Sequence, residues 1–260
     1  MKHQFVKRAA VFAALAACGI GAQAADWSDT SIGYGYGTKF KEPFNTENIT
    51  KNIINLTHAS GYKYGTNYFN ADMLLSNKTD PSSADSTSGA HEVYVVYRHT
   101  LDLGKVTGQE YKFGPVRGLG MTAGFDFNTK TDAAYNSKKR MVVAGPTLMM
   151  DVPGFLNVSL LAMWESNQPS GFDFINSVTY TTARYSYDVH PMISASWGIP
   201  FNVASVPLSF EGFANLIAPK GLNEFGDKTG VETLIDAKVM YDASPVIGAT
   251  KNTFKVGVQY

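Results

Sequence analysis

The 260-residue sequence has little cysteine, little charge and no long apolar run beyond its first residues. Its one cysteine is Cys18, which excludes a fold held together by several disulfides. Charged residues make up 17% of the chain, below the roughly 25% of typical soluble domains. Basic and acidic residues balance at 22 each, and no basic patch of the kind that binds nucleic acid stands out. After residue 24, no stretch approaches the roughly 18 apolar residues that a transmembrane helix needs.

Residues 1–24 have the pattern of a bacterial secretory signal peptide. They begin with three basic residues, continue with an apolar run over 9–19 and end with Ala22-Gln23-Ala24, a small-x-small cleavage site. The apolar run is too short to cross a bilayer as a helix. We therefore expect an exported chain that starts at residue 25, lacks cysteine and carries a formal charge of −3. Leu15-Ala16-Ala17-Cys18 also resembles a lipobox, so lipidation of Cys18 is a second interpretation.

What the sequence does have is aromatic residues, at 13%, and segments in which apolar and polar residues alternate. Alternation with period two predicts strands with one apolar and one polar face. The alternating segments cover 68–75, 92–99, 118–127, 156–165 and 232–241. We expect a single all-β domain over residues 25–260, a transmembrane antiparallel up-and-down β-barrel in the cell outer membrane.

The segment 185–197 places aromatic residues at both ends of one face and aliphatic residues between them. Twelve steps of roughly 3.4 Å at a tilt near 40° rise about 31 Å, the thickness of the hydrocarbon layer. Pro191 removes one backbone donor and predicts a bulge or a strained pairing. Because interfaces with outer-membrane lipid favour aromatic residues, we expect a lipid-interface belt. Its predicted members are Tyr185, Tyr187, Trp197 and Trp164.

Long and short connections between the predicted strands suit such a barrel. Residues 77–90, 130–139 and 218–230 are polar and loop-like, whereas 151–154 is a short turn. We count about eleven strands, from near 31–40 to 254–260. Single-chain bacterial barrels use even numbers, so we expect twelve, with either the last strand missing or one hairpin overlooked.

The polar faces of the predicted strands should form the interior. By alternation, the charged residues assigned there are Asp72, Glu92, Arg98, Asp126, Glu165, Asp188, Glu211, Asp236, Lys238 and Lys255. Because acidic residues predominate, this is not the basic ladder of an anion pore. Tyr68, Tyr94 and Phe213 share the inward parity, and their rings could stack on a sugar or a base. Alternatively, an inward charge pairs with a neighbour and an inward tyrosine only fills space.

A catalytic interpretation has little support in the sequence. His58, Glu92, Arg98, His99 and His190 could form a triad with a serine, as in barrel lipid A deacylases, but no local motif accompanies them. No metal-ligand spacing is present. We therefore expect no enzymatic activity, no catalytic residues, no cofactor and no metal.

Three consecutive segments carry a family resemblance: residues 31–43 (SIGYGYGTKFKEP), 51–65 (KNIINLTHASGYKYG) and 66–72 (TNYFNAD). They resemble the Tsx-type nucleoside-specific channel family of outer-membrane proteins. The resemblance implies a twelve-stranded monomeric barrel whose narrow channel passes nucleosides. Only Tyr68, Asn70 and Asp72 match candidate binding positions of the family, by their place in a strand. Beyond residue 76 the chain shares only the general barrel pattern.

The sequence thus predicts an outer-membrane channel for facilitated diffusion of small polar solutes, nucleosides above all, with no nucleic-acid partner. Two alternatives stay open: a structural or adhesive barrel that does not conduct, and a barrel enzyme that acts on envelope lipid. The residues predicted to line the channel and bind the solute are Tyr68, Asn70, Asp72, Tyr94, Arg98, Asp126, Glu211, Phe213, Asp236 and Lys238.

Overall fold

The computed structural model describes residues 25–42 and 45–260. The predicted signal peptide, with Cys18, and Pro43 of the family-like segment lie outside these ranges. Within the ranges, no helix has the length and apolar character needed to cross a membrane.

The described chain is built almost entirely of strands, as the alternating segments predict. The first seven strands are β1 (Trp27–Glu42), β2 (Asn45–Tyr62), β3 (Gly65–Ser76), β4 (His91–Asp102), β5 (Val116–Lys130), β6 (Arg140–Met150) and β7 (Phe155–Asn167). The others are β8 (Ser170–Asp173), β9 (Val178–Thr181), β10 (Tyr185–Ser186), β11 (His190–Val203), β12 (Val206–Ile217), β13 (Glu232–Asp242) and β14 (Lys255–Gln259). A short helix, α1 (Leu103–Thr107), follows β4, and a 3-10 helix (Ser244–Ile247) follows β13.

Eleven of these strands form one antiparallel sheet in the order β1-β2-β3-β4-β5-β6-β7-β11-β12-β13-β14, which curls into a half-barrel. The short strand β10 pairs with β7, and β8 and β9 form a separate hairpin. The all-β antiparallel class, the consecutive order and the count of about eleven strands are therefore confirmed. Among the described residues, β1 pairs only with β2 and β14 only with β13.

Because consecutive strands alternate in direction, their connections alternate between two ends of the sheet. One end, the loop end, carries the connections 77–90, 131–139, 168–189 and 218–231. The other end, the turn end, carries 63–64, 103–115, 151–154, 204–205 and 243–254. The predicted loops at 77–90, 130–139 and 218–230 all lie at the loop end, and the predicted turn at 151–154 lies at the opposite end.

Two tight connections at the turn end show how local sequence sets the register. Ala204 and Ser205 have φ of 45° and 71° and join Val203 directly to Val206, the geometry of a two-residue hairpin turn. Gly154 has φ of 75°, and a Cβ there would lie 2.1 Å from the carbonyl oxygen of Gly198. A side chain at position 154 would therefore clash with β11 as well as strain the backbone.

The burial of the sheet is the reverse of a soluble protein. Along β5, the polar side chains of Thr122, Asp126 and Asn128 are buried, whereas Met121 and Phe125 are 43% and 42% exposed. Burial also alternates along β7, where the buried side chains include the polar Glu165 and the apolar Leu161. We call the face with the buried polar side chains the inner face and the opposite face the outer face. An exposed apolar sheet face of this extent is unfavourable in water.

The predicted continuous strand over 185–197 is wrong, because a bulge interrupts it. Tyr185 pairs with Asn167, but His190 pairs with Met163, so β10 and β11 are out of step by one residue. A one-residue shift moves every side chain to the opposite face. Tyr185 and Tyr187 therefore share the inner face with Asn167 and leave the predicted lipid-interface belt.

The other two predicted belt residues do lie on the outer face. Trp164 pairs with Val142 on β6 and is 47% exposed. Trp197 stacks on Phe210 with ring centroids 5.2 Å apart, near the turn end.

Candidate functional site

The inner face carries most of the polar groups that could act on a solute, together with one apolar group of side chains. Met163, Leu161 and Met192 are each 1% exposed and pack together near the loop end. This inner apolar cluster consists of Tyr94, Met141, Val143, Leu161, Met163, Met192 and Ile217. Its members come from β4, β6, β7, β11 and β12, so the cluster spans the inner face across this part of the sheet.

A row of hydroxyl groups crosses four strands of the inner face. Thr100 and Thr122 lie 2.8 Å apart, Thr122 and Thr147 2.6 Å, and Thr147 and Ser159 2.8 Å, measured between side-chain oxygens. Thr147 is only 1% exposed. A hydroxyl can donate one hydrogen bond and accept another, so the row satisfies its buried members without any charge.

At the loop end, the buried carboxylate of Glu165 is compensated by lysines from two connections. Both of its oxygens accept hydrogen bonds from Lys220 Nζ at 3.0 Å, and Lys139 Nζ lies 3.3 Å away. Lys220 also contacts Glu232 at 2.7 Å. Burial opposes the charge of Lys220, but the carboxylates beside it raise its pKa above the ordinary value. The connection 218–231 is thus fixed against the inner face by ion pairs.

A second contact fixes the same connection. The carboxylate of Glu224 accepts hydrogen bonds from Tyr187 Oη at 2.5 Å, from Tyr135 Oη and from Asn167 Nδ2 at 3.3 Å. We call these four residues the Glu224 node. Burial alone would raise the pKa of Glu224, but the two hydroxyls bond its ionised form and hold the pKa below its usual range. The node joins the connections 131–139, 168–189 and 218–231.

The connections 77–90 and 131–139 meet through two carboxyl groups. Asp80 is 1% exposed and Asp132 is 6% exposed, and their side chains share a hydrogen bond. Burial, followed by that hydrogen bond, raises the pKa of Asp80 to about 6. Burial also acts against the charge of Asp132, but its hydrogen bonds, chiefly that from Asp80, keep its pKa below the usual range. Asp80 therefore binds its proton more tightly than an ordinary carboxyl, and the protonated form predominates below about pH 6.

Two predicted lining residues, Arg98 and Asp126, form an ion pair with each other. Arg98 bonds both oxygens of Asp126, one of them at 2.9 Å, and also donates to the backbone carbonyl of Tyr97. Asp126 is 5% exposed. A bidentate pair of this kind satisfies the polar inner face and leaves neither charge free. Tyr94 packs against the inner apolar cluster, so it fills space.

The predicted residues Tyr68, Asn70 and Asp72 follow one another along the inner face of β3. Asp72 accepts hydrogen bonds from Asn55 Nδ2 at 2.6 Å and from Asn70 Nδ2 at 2.9 Å. Tyr68 is 41% exposed although it lies on the inner face. A solute can therefore reach the ring of Tyr68 and the amides and carboxylate beside it.

The remaining predicted residues lie on β12 and β13. Glu211 accepts from Lys255 Nζ at 2.7 Å, whereas Lys238 Nζ lies 3.6 Å from Asp236. Phe213 is the cross-strand partner of Asp236 and is 37% exposed. This part of the inner face, like the part around Tyr68, is accessible.

The curvature of the sheet brings these two accessible regions towards each other. Because the sheet curls into a half-barrel, β3 and the pair β12–β13 lie on opposite sides of one concave face, although they are distant in the sheet order. The open region, which we call the polar cleft, is bounded by Tyr68, Asn70, Asp72, Glu211, Phe213, Asp236 and Lys238. Arg98 and Asp126 border it.

Several residues of the inner face were not predicted as site residues. Glu224 and Lys220 lie in a loop without alternation, and their partners Tyr135 and Glu165 are 89 and 55 residues away. No pattern in the sequence predicts such pairings. Part of the hydroxyl row could have been found, because Thr122 and Ser159 occupy inward positions of alternating segments.

The histidines of the catalytic interpretation are dispersed. Their side-chain hydrogen bonds join His58 to Thr30, His99 to Tyr62 and His190 to the backbone carbonyl of Asp188. Within the ranges that the structure describes, no group of three or more His, Cys, Asp and Glu side chains could hold a metal ion. A concavity lined by Asp126, Trp164 and Glu165, among others, includes none of the seven residues that bound the polar cleft and shares only Asp126 with its border.

Comparison with protein-family models, with curated proteins and with solved structures gave no match to this chain. The proposals below therefore depend on the geometry and on the residues themselves.

Proposed function

We propose that the chain is an outer-membrane β-barrel channel through which small polar solutes, nucleosides above all, diffuse down their gradient. The observation that carries the proposal is the reversed burial of the sheet. Polar side chains such as Asn128 and Lys130 are buried, at 8% and 7%, whereas Leu160 and Val142 on the outer face are 56% and 54% exposed. Hydrocarbon around the outer face would remove the cost of that exposure.

The connections support the same proposal. The three longest connections, 77–90, 168–189 and 218–231, lie at the loop end, as in outer-membrane barrels with long external loops, whereas the turn end has the tight connections 63–64, 151–154 and 204–205 beside 103–115 and 243–254. In a bilayer every backbone donor and acceptor must be satisfied, so insertion also requires the edges at β1 and β14 to be joined. Twelve strands with antiparallel closure, as the family resemblance implies, would meet this requirement.

The side chains of the polar cleft favour binding of a solute that is polar and has a flat ring. Tyr68 and Phe213 present accessible ring faces, and base–aromatic stacking contributes about 1–3 kcal/mol per base. Asn70 and Asp72 beside Tyr68 can exchange hydrogen bonds with hydroxyl groups such as those of a ribose. Transport requires that each contact be weak enough for the solute to leave, and a cleft that stays exposed to water meets that need.

One observation favours a second candidate, a barrel that does not conduct. The inner apolar cluster and the ion pairs of Glu165 and Lys220 occupy the inner face at the loop end. If they close the whole cross-section, the protein is a structural element of the membrane.

Liposome swelling distinguishes these functions. Vesicles that contain the protein are diluted into isotonic adenosine, thymidine or a sugar of matched size, with protein-free vesicles as the control. We expect faster swelling with both nucleosides than with the sugar. Equal rates for all three would reduce the protein to a general pore, and rates equal to those of empty vesicles would favour the non-conducting barrel.

A further inference from the structure

We propose that Asp72 makes the polar cleft select cations over anions. This inference rests on the proposed channel function and adds a charge preference to it. It starts from the pairing of charges on the inner face, where most carboxylates have a cation in direct contact and Asp72 does not.

The paired carboxylates can be identified one by one. Asp126 is bonded by Arg98, Glu165 by Lys220 and Glu211 by Lys255. Each of these pairs is close to neutral when seen from the cleft. They therefore contribute little to the choice between a passing cation and a passing anion.

Asp72 is held in a different way. Its two oxygens accept hydrogen bonds from the amides of Asn55 and Asn70, at 2.6 and 2.9 Å. Among the ion pairs within residues 25–42 and 45–260, none includes Asp72. An amide donor fixes the position of a carboxylate without cancelling its charge. Asp72 thus presents a fixed, uncompensated negative charge.

The opposite side of the cleft does not supply the missing positive charge. Asp236, on β13, has one cation within ion-pair distance, Lys238, whose Nζ lies 3.6 Å from its carboxylate, and it also accepts a hydrogen bond from the neutral amide of Gln259 at 2.8 Å. Two carboxylates and one ammonium leave one negative charge at this level. Glu92, nearer the loop end, is also bonded by an amide, that of Asn128, at 3.0 Å.

Coulomb's law gives the size of the effect. In a water-filled passage, one unit charge at about 8 Å enriches monovalent cations about twofold and depletes anions by a similar factor. The expected permeability ratio of potassium to chloride is therefore roughly fivefold at low salt. It should fall as salt shortens the screening length.

The test is the reversal potential of the full chain in a planar bilayer with a tenfold potassium chloride gradient. We compare the wild type with Asp72→Asn, Asp72→Glu and the matched control Asp173→Asn. Asp173 is a carboxylate of the exposed β8–β9 hairpin, bonded by Asn176 at 2.7 Å. We expect the cation preference of the wild type to fall severalfold in Asp72→Asn and to persist in the other two variants.

The outcomes separate this inference from the proposed function. A protein that conducts with equal permeability for potassium and chloride overturns the role of Asp72 but leaves the channel intact. A protein without conductance in any condition overturns the channel function itself. If Asp72→Asn does not fold, Asp72→Ser removes the same charge, and a wild-type preference that persists in Asp72→Ser also overturns the inference.

Discussion

Replacing Leu160 by arginine tests whether the outer face lies in hydrocarbon. Leu160 is central in β7, points outward and is 56% exposed. In water, losing the packing of its buried half would cost about 1 kcal/mol, since full burial of a leucine contributes about 1.5–3 kcal/mol. At the middle of a bilayer, an arginine on the lipid face of a barrel costs about 2–4 kcal/mol.

The control is Ile175→Arg, because Ile175 lies at the tip of the β8–β9 hairpin and is 93% exposed. Its replacement should change stability by less than about 0.5 kcal/mol. The measurement is urea-dependent folding into lipid vesicles, followed by the fluorescence of Trp27, Trp164 and Trp197. We expect the free energy of unfolding to fall by about 2–4 kcal/mol for Leu160→Arg alone. A loss of only about 1 kcal/mol for Leu160→Arg, the value expected in water, would refute membrane insertion of the outer face.

Three further changes test individual contacts of the inner face. Glu224→Ala leaves the hydroxyls of Tyr135 and Tyr187 without their acceptor. Because hydrogen bonds to charged groups contribute about 1.5–3 kcal/mol, proteolysis within 218–231 should accelerate about tenfold or more. An unchanged rate of proteolysis would show that the Glu224 node does not fix this connection. Thr147→Val breaks the hydroxyl row and should lower the free energy of unfolding by about 1–3 kcal/mol. Thr129→Val, on the outer face, is the control and should leave it unchanged. Equal losses of unfolding free energy in the two variants would show that the row does not stabilise the sheet. The pKa of Asp80 in the folded protein, about 6, exceeds its ordinary value, so protonation of Asp80 stabilises its contact with Asp132. Amide hydrogen exchange in 77–90, corrected for the intrinsic rate, should therefore slow as the pH falls from 7.5 to 5. Asp80→Asn should abolish this pH dependence, and a pH dependence that persists in the variant would belong to another group.

The strands could be predicted from sequence because each one carries its own alternation. The predicted segments 68–75, 92–99, 118–127, 156–165 and 232–241 all lie within strands of the sheet. Burial on one face sets the register of a strand, so a local pattern is enough to identify it.

The departures come from features that alternation does not encode. The bulge between β10 and β11 reverses the facing of Tyr185 and Tyr187, although the sequence alternates without interruption through residue 197. Pro191 pointed to an irregularity, but the bulge lies before His190. The short hairpin of β8 and β9 lies within a connection and was not predicted.

The site was predictable only in part, for a related reason. Alternation placed Tyr68, Asp72 and Asp236 on the inner face, because facing is a local property. Which charge is cancelled depends on a partner from another strand or loop. Arg98 and Asp126 therefore proved to be paired, while Asp72 proved to have only amide donors.

The odd number of strands in the sheet determines the relative direction of its two edge strands. With eleven strands in alternating directions, β1 and β14 both point from the turn end to the loop end. If these two strands join directly, their hydrogen bonds are slanted and somewhat weaker per residue than those of every other neighbouring pair. Two copies inserted in the membrane with the same orientation could also pair at these edges only with parallel strands. Strand direction alone thus excludes antiparallel pairing between the edges of two such copies. Only a strand that runs from the loop end to the turn end can close the barrel with antiparallel pairing to both β1 and β14.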